Sequence, residues 1–317
     1  STTVESLAGS LRISPVTARM LANRGLDEPR QARRFLEPSL HELADPSEHA
    51  LLSEAARFLA DAVKSGRHIT VYGDYDADGI CAAATLIRCI RGAGGNADCY
   101  VPKRFDEGYG LNSDALEELK ERGTDVVVTV DCGVSAVEQI KYASQLGLKV
   151  IVTDHHEPGP QVPDTRFVLN PHLPGCDFGY RQLAGVGVAF KLAWALGQQL
   201  NGRRSVPESF RELMIDVLPL VAIGTIADMV PLTDENRVLS RYGLKVMPDT
   251  RNPGLQALLK VAGAAGKSNL GSYHVGFQIA PRLNAAGRMA DARAAVEMFT
   301  TDDPERAAEL ADHLEEE

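Results

Sequence analysis

Residues 68–154 alternate short apolar segments with longer helical ones, and this alternation is the strongest constraint on the fold. The segments "HITVYG", "ADCYVP", "DVVVTVD" and "KVIVTD" have the composition of buried strands, and helical segments follow the first three. Continuously apolar strands joined by helices are typical of parallel sheets covered on both faces. We therefore predict an α/β fold, a parallel sheet flanked by helices and followed by a mostly helical segment.

The rest of the chain suggests three parts. We predict an N-terminal helical extension over residues 1–64 and a catalytic domain over 65–235, in which "RFVLNP" adds another strand near residue 168. Residues 236–317 are expected to form a helical continuation that leads into a linker helix. No apolar run approaches the ~20 residues that span a bilayer, so we expect no membrane segment. Five cysteines without a C-x-x-C pair favour the reducing cytoplasm.

Acidic side chains follow three of the predicted strands directly. They are Asp74, Asp76 and Asp78 after the first strand, Asp131 after the third, and Asp154 with His155 and His156 after the fourth. A single aspartate at such a position is usually a turn residue or helix cap. Ligands of parallel sheets bind outside the carboxyl ends of the strands, so we expect these groups to meet there and form a site.

Several carboxylates with one or two imidazoles suit Mn²⁺ or Mg²⁺ better than Zn²⁺. Such a set favours two ions bridged by one carboxylate, and the ions would offset the mutual repulsion of the acids. Asp228, near the end of the apolar helical segment "LPLVAIGTIADMV", is a further candidate ligand, with a helix cap as the alternative. The formal net charge of −10 argues against binding a polyanion by bulk charge but does not forbid a local basic groove.

Five motifs occur in the order found in one known family. "GDYDADG", "VTVDCG", "TDHHEPG", "GTIADMVPLTDENR" and "LNAAGRM" resemble the DHH phosphoesterase superfamily, and the chain is most similar to its bacterial single-strand-specific exonucleases. The N-terminal "LANRGLDEPRQARRFLEPSLHELADP" also resembles that group. The resemblance implies a centre of two Mn²⁺ or Mg²⁺ ions that hydrolyses single-stranded DNA from 5′ to 3′ in repair and recombination.

The resemblance also implies roles for individual residues. Asp76 and Asp78 would bind different ions, Asp131 would bridge them, and His155 and Asp228 would complete the second ion site. Catalysis would fall to Asp131, His156 and Arg288, with His156 binding the scissile phosphate or protonating the leaving group. Tyr72 stands where some members of the superfamily have a histidine, and we expect Asp74 to organise the loop rather than to bind an ion.

Substrate contacts are expected from two basic segments. In "VPKRFDEGYGL", Lys103 and Arg104 follow a strand, and the resemblance implies that Arg104 holds the terminal phosphate. In "APRLNAAGRM", Arg282, Asn284 and Arg288 would bind the DNA backbone, because an arginine fork suits a phosphodiester. Gly185 and Gly187 in "LAGVGVAFK" have two interpretations, a helix start facing an anion or close helix packing.

The expected partners are single-stranded DNA and other repair proteins, such as a single-strand-binding protein or a helicase. The exonucleases that the chain resembles continue into a second small domain and an oligonucleotide-binding fold, so we expect this sequence to hold the catalytic part and to bind strands weakly. Two alternatives stay open. One is a DHH phosphodiesterase acting on short oligonucleotides or cyclic dinucleotides, and the other is a non-catalytic, replication-associated DHH scaffold.

Overall fold

The computed structural model describes residues 2–102, 110–176, 179–202, 204–288 and 291–316. Five strands form one sheet in the order β2-β1-β3-β4-β5, and all four pairings are parallel. The strands are β1 His68–Gly73, β2 Asn96–Tyr100, β3 Val126–Val130, β4 Lys149–Thr153 and β5 Phe167–Leu169. This confirms the predicted α/β fold, including the strand near residue 168.

Helices cover both faces of the sheet and make up most of the chain after β5. They are α1 Thr2–Leu11, α2 Pro15–Ala22, α3 Pro29–Leu36, α4 Ala50–Lys64, α5 Ala77–Gly92, α6 Ser113–Glu121, α7 Val137–Gln145, α8 Gly185–Asn201, α9 Glu208–Ala227, α10 Asp234–Val246, α11 Pro253–Val261, α12 Ser272–His274, α13 Ala280–Arg288, α14 Ala292–Thr300 and α15 Pro304–Glu316. Within the described ranges, no helix combines the length and the apolar character needed to cross a membrane.

The apolar runs of the strands follow from burial on both faces. In β3, Val126, Val128 and Val130 belong to the large core that α4, α5, α8 and α9 build on one face. Val127 points to the opposite face, into a smaller core with residues of α6 and α7. Successive strand residues face opposite ways, so a strand covered on both sides must be apolar throughout.

The helices before β1 pack in two groups. Helices α1, α2 and α3 have a small core of their own, and Arg237 of α10 lies over the Phe35 ring at 3.6 Å. Helix α4, by contrast, packs into the main core beside α8. The three-part division of the chain therefore stays a prediction, with α4 part of the body that carries the sheet.

Candidate metal centre

The loop after β1 is held in place by the start of α5. Asp76 caps this helix, and its Oδ1 accepts hydrogen bonds from the backbone N–H groups of Asp78 at 2.9 Å and Gly79 at 3.0 Å. Gly79 has to be glycine, because a Cβ there would lie 2.5 Å from the carbonyl oxygen of Asp74. The three aspartates are thus fixed by a strand end and a helix start.

Asp131 directly follows β3 and adopts a backbone conformation that few residues accept. Its φ is +60°, and its side chain is buried. Helix α8 begins so close to it that a Cβ on Gly185 would lie 2.5 Å from Asp131 Oδ1. A strained, buried aspartate is a feature that the surrounding structure must impose, and such residues cluster at functional sites.

Asp154 orients the two histidines that follow it. Its Oδ1 accepts hydrogen bonds from the backbone N–H groups of His155 at 2.7 Å and His156 at 3.1 Å, and pairs with His156 Nδ1 at 2.8 Å. Its Oδ2 accepts from the Val134 N–H at 2.8 Å. Asp154 was expected only as one of the acids that follow a strand, and here it acts by positioning both histidines. Its position directly before two histidines was the available signal.

The side chains from these separate strand ends, together with Asp228 at the C-terminal end of α9, meet in one place. His155 Nε2 lies 3.1 Å from Asp131 Oδ1, 3.6 Å from Asp228 Oδ2 and 4.0 Å from Asp78 Oδ2. Three groups have ligand atoms within 4.8 Å of one another: Asp74, Asp76 and Asp131; Asp78, His155 and Asp228; and Asp131, His155 and His156. The predicted convergence of acids and imidazoles is therefore present, and Asp131 is common to two of the groups.

Asp78 is held by the start of helix α8. Its Oδ2 accepts a hydrogen bond from the Gly185 N–H at 2.7 Å, and its Oδ1 accepts one from the Val186 N–H at 3.0 Å. The free N–H groups and the dipole at a helix start favour an anion. Of the two interpretations of Gly185, the helix start that faces an anion is observed, and the anion is a carboxylate of the same chain.

Crowding of acids in a buried site raises their pKa values. The pKa of Asp74 is raised to about 7 by burial and by the negative charge of Asp76. Burial and the same neighbour raise the pKa of Asp228 to about 6. The pKa values of Asp78 and Asp131 are raised well above the ordinary value, first by burial and then by neighbouring carboxylates. The positive charge near these carboxylates is too small to balance their negative charges.

The two histidines are shifted in opposite directions. Burial and the neighbouring His156 lower the pKa of His155 to about 4, so this imidazole is neutral at pH 7 and can donate a lone pair. The hydrogen bond to Asp154 raises the pKa of His156, although partial burial opposes it. The His155 ring lies among the carboxylates, whereas the His156 ring, with the higher pKa, is half-exposed.

Unsatisfied buried atoms fit a bound cation. Asp74 Oδ1 and His155 Nε2 are both buried and make no hydrogen bond to the described residues. No Lys or Arg of the described ranges pairs with Asp76 or Asp78 either. Buried polar atoms almost always have partners, and carboxylate oxygens with an imidazole nitrogen are ligands that Mn²⁺ accepts. The donor set therefore suits divalent metal ions.

The predicted substrate residues are only partly described. Asn284 Oδ1 accepts a hydrogen bond from the Ala77 N–H at 2.8 Å, so this side chain supports the acidic loop. Arg282 is paired with Glu315, with Nη2 and Oε1 2.8 Å apart. Lys103, Arg104 and the Arg288 side chain lie outside the described residues. Their roles in binding substrate stay predictions.

Tyr72, at the position where the resemblance implied a histidine, points away from the acids. Its hydroxyl donates to the Gly110 carbonyl oxygen at 3.0 Å, and its ring stacks on Tyr100 with centroids 5.2 Å apart. The residue belongs to the smaller core with α6 and α7. Cys81 and Cys132 are buried, and burial raises the pKa values of their thiols, which fits side chains that pack in the core.

A cleft of about 320 Å³ opens beside the acids. It is lined by Asp154 and His156 on one side and by Leu111, Val134 and Gln139 on the other. A larger cavity of about 790 Å³ opens at Arg88, about three turns along α5 from Asp76, and none of the clustered acids lines it. Of these two cavities, the smaller one borders the candidate centre, through His156.

Residues 68–225 match the DHH family, N-terminal domain. The single-stranded-DNA-specific exonuclease RecJ of Bacillus subtilis (strain 168) is 43% identical over 314 residues, which are 99% of this chain and 38% of that protein. The crystal structure of RecJ from Thermus thermophilus in complex with Mn²⁺ is 33% identical with a TM-score of 0.82, covering 99% of this chain and 43% of that one. The structure of RecJ from the same organism with Mg²⁺ is 30% identical with a TM-score of 0.68, covering 99% and 40%.

The chain spans about half, or less, of the length of the curated relatives that it matches. Within that span, the order of the motifs, the parallel sheet and the convergence of acids at its edge agree with the match. The chain belongs to the DHH family, and over nearly its whole length it is similar to the RecJ exonucleases.

Proposed function

We propose that this chain is the hydrolytic part of a single-strand-specific 5′-to-3′ exonuclease that cuts phosphodiester bonds of DNA in repair and recombination. One observation carries the proposal: carboxylates and imidazoles from three strand ends and one helix end form three overlapping groups, each with its ligand atoms within 4.8 Å of one another and with unsatisfied buried atoms among them. The substrate is taken from the names of the similar RecJ proteins, which are single-stranded-DNA-specific exonucleases.

The cofactors that we propose are two divalent ions, Mn²⁺ or Mg²⁺. Asp74, Asp76 and Asp131 would hold one ion. Asp78, His155 and Asp228 would hold the other, with Asp131 shared because it also lies within reach of His155. When bound, such ions polarise the phosphodiester and lower the pKa of the attacking water. The ligand role of Asp74 goes beyond the loop-organising role expected from the sequence, and the unpartnered Oδ1 supports it.

The residues around the ions have separate tasks in this proposal. His155 is neutral at physiological pH and would donate its Nε2 lone pair to an ion, whereas the hydrogen bond to Asp154 raises the pKa of His156. When it carries a second proton, this half-exposed imidazole at the cleft can hold the scissile phosphate or give its proton to the leaving oxygen. Asp131 is fixed by its strained backbone, which keeps its oxygens in place.

Arginines would neutralise the DNA backbone next to this centre. We propose Arg104 for the terminal phosphate and Arg288 for the scissile one, since a guanidinium binds two oxygens of a phosphate at once. Arg282 would have to leave its pairing with Glu315 to contribute. Asn284 would act mainly by holding the acidic loop through the Ala77 N–H.

We also propose a cytoplasmic location, where the five free cysteines stay reduced. Other repair proteins, such as a single-strand-binding protein or a helicase, are the protein partners that this function implies.

The test is release of nucleotides from oligothymidylate labelled at its 5′ end, with Mn²⁺ or with a chelator. We expect mononucleotides from strands whose 3′ end is blocked, none from strands whose 5′ end is blocked, and none with the chelator. Cleavage of dinucleotides alone would favour the short-oligonucleotide phosphodiesterase. The absence of any Mn²⁺-dependent turnover would favour the non-catalytic scaffold.

A further inference from the structure

Two aromatic side chains are exposed next to each other near the C-terminal helices. Tyr273 is 64% exposed and Phe277 is 71% exposed, and their ring centroids lie 5.0 Å apart with an angle of 30° between the planes. Exposed aromatic pairs have a hydrophobic cost unless something covers them. Neither ring belongs to the cores of the described residues.

One unbroken helical run joins this pair to the acidic loop. Residues 272–288 are helical throughout, with a π-helical turn at Val275–Ile279. Phe277 and Asn284 are seven residues apart in this run, about 10 Å along its axis. Asn284 bonds to the Ala77 N–H at the loop of the acids. The aromatic pair therefore lies along a helix that ends at the candidate centre.

The stretch that carries the aromatic pair contains no acidic residue. No Asp or Glu occurs between Asp249 and Asp291, whereas five Lys or Arg residues do, in a chain of formal net charge −10. The residues of this stretch therefore repel a phosphate backbone less than the average residue of this acidic chain does.

We propose that Tyr273 and Phe277 form a stacking platform for the bases of the single strand, a short distance from the bond that is cut. Stacking on aromatic rings accepts every base, so it holds a strand without reading its sequence. Only unpaired bases offer a free face to such rings, so the platform also favours single strands over duplex. This inference rests on the proposed function.

The experiment measures binding by fluorescence anisotropy, without turnover, in a metal-free buffer of low salt. The probes are a labelled oligothymidylate and an abasic strand with the same number of phosphates. The variant Tyr273→Ser/Phe277→Ser should bind oligothymidylate at least about tenfold more weakly. The wild-type protein should bind the abasic strand about as weakly as the variant binds oligothymidylate. The variant should bind both probes with the same affinity.

Two further variants serve as controls. Tyr273→Trp/Phe277→Tyr keeps the rings and should restore binding, and Val16→Ser removes an exposed apolar side chain of α2 and should change nothing. Equal binding of both probes by the wild-type protein would overturn the stacking platform even if the serine variant failed to fold. Failure of the proposed function would show differently, as wild-type protein that prefers oligothymidylate to the abasic strand but hydrolyses neither oligothymidylate nor a dinucleotide with Mn²⁺.

Discussion

Charged side chains are buried in two regions of this protein, and the two regions differ in where the compensating charge comes from. In the first, Lys191 of α8 is fully buried, with its Nζ 2.7 Å from Glu235 Oε2 and 2.6 Å from the Ala44 carbonyl oxygen. Glu235 Oε1 accepts a hydrogen bond from the Ala44 N–H at 2.8 Å. This pair joins three segments and contains its own counter-charge.

The metal centre is the opposite case. Asp74, Asp76 and Asp78 have no Lys or Arg partner in the described part of the chain, and burial and mutual repulsion raise the pKa values of Asp74 and Asp78. Burying uncompensated charge is expensive, so such a cluster persists only if it serves something other than stability. A buried carboxylate paired with a lysine of the same chain therefore serves the fold, whereas a cluster of carboxylates without such a lysine or arginine is suited to an exchangeable cation.

The largest effect is expected at the self-compensated pair. Lys191→Met leaves Glu235 buried without its partner, so the free energy of unfolding should fall by about 3–5 kcal/mol, measured by urea denaturation. The double variant Lys191→Met/Glu235→Leu removes both charges and should recover most of that loss. A double variant as unstable as the single one would show that lost packing, not the unpaired carboxylate, causes the effect.

Asp131→Asn tests the acidic centre. Asparagine tolerates the φ of +60°, so the fold should survive, while Mn²⁺-dependent hydrolysis should fall about a hundredfold or more. The metal-free variant should also unfold at a higher temperature, because one of several repelling charges is gone. Asp216→Asn is the matched control, since Asp216 pairs with Arg88 at 3.2 Å, and it should keep full activity. Wild-type rates for Asp131→Asn would remove Asp131 from the centre.

The change in Tm on adding Mn²⁺ should differ between variants of the two regions. An ion at a hundred times its dissociation constant stabilises the folded state by about 2.7 kcal/mol. Mn²⁺ should therefore raise the Tm of the wild-type protein and of Lys191→Met by similar amounts, and that of Asp131→Asn by much less. A Tm that does not respond to Mn²⁺ in the wild-type protein would contradict the metal centre.

The smallest effect is the pH dependence of the metal-free protein. Asp228 and Asp74, with folded pKa values of about 6 and about 7, keep protons that the unfolded chain, with a carboxyl pKa near 3.8, has lost. These retained protons should lower stability as the pH rises, by about 1 kcal/mol per pH unit for each proton. His155, with its pKa lowered to about 4, opposes this slope up to the ordinary histidine pKa of about 6.5, so the fall should be clearest from about pH 6.5 to 7.5. Urea titrations measure the slope, and a stability that rises with pH in that upper range would mean that the acids are already compensated.

Much of the site followed from the sequence because its signals are local. An apolar strand followed at once by an acid can be recognised within about ten residues, and parallel strands bring their ends to one edge. That reasoning correctly brought Asp131, His155 and the loop of Asp76 together. It gave Asp154 no role because its hydrogen bonds depend on how the chain turns after β4.

Contacts between distant segments were beyond the sequence. Nothing near Asn284 indicates that its side chain would accept a hydrogen bond from the Ala77 N–H, 207 residues away. The segment around Asp78 likewise does not indicate that the first N–H groups of α8 would donate to the Asp78 carboxylate. Close approach at glycines accompanies both contacts, because a Cβ on Gly287 would collide with the Tyr75 carbonyl oxygen and a Cβ on Gly185 would collide with Asp131.

The sequence by itself determined which segments form strands and helices, that the sheet is parallel, and that acids end three of its strands. Hydrophobic periodicity and helix caps act within a few residues, so they can be read from the chain alone. Only the tertiary structure decided that the start of α8 holds the Asp78 carboxylate, that Lys191 has a built-in partner, and that Tyr273 and Phe277 face solvent. These features depend on distances of a few ångströms between elements far apart in the chain, and helix packing sets those distances.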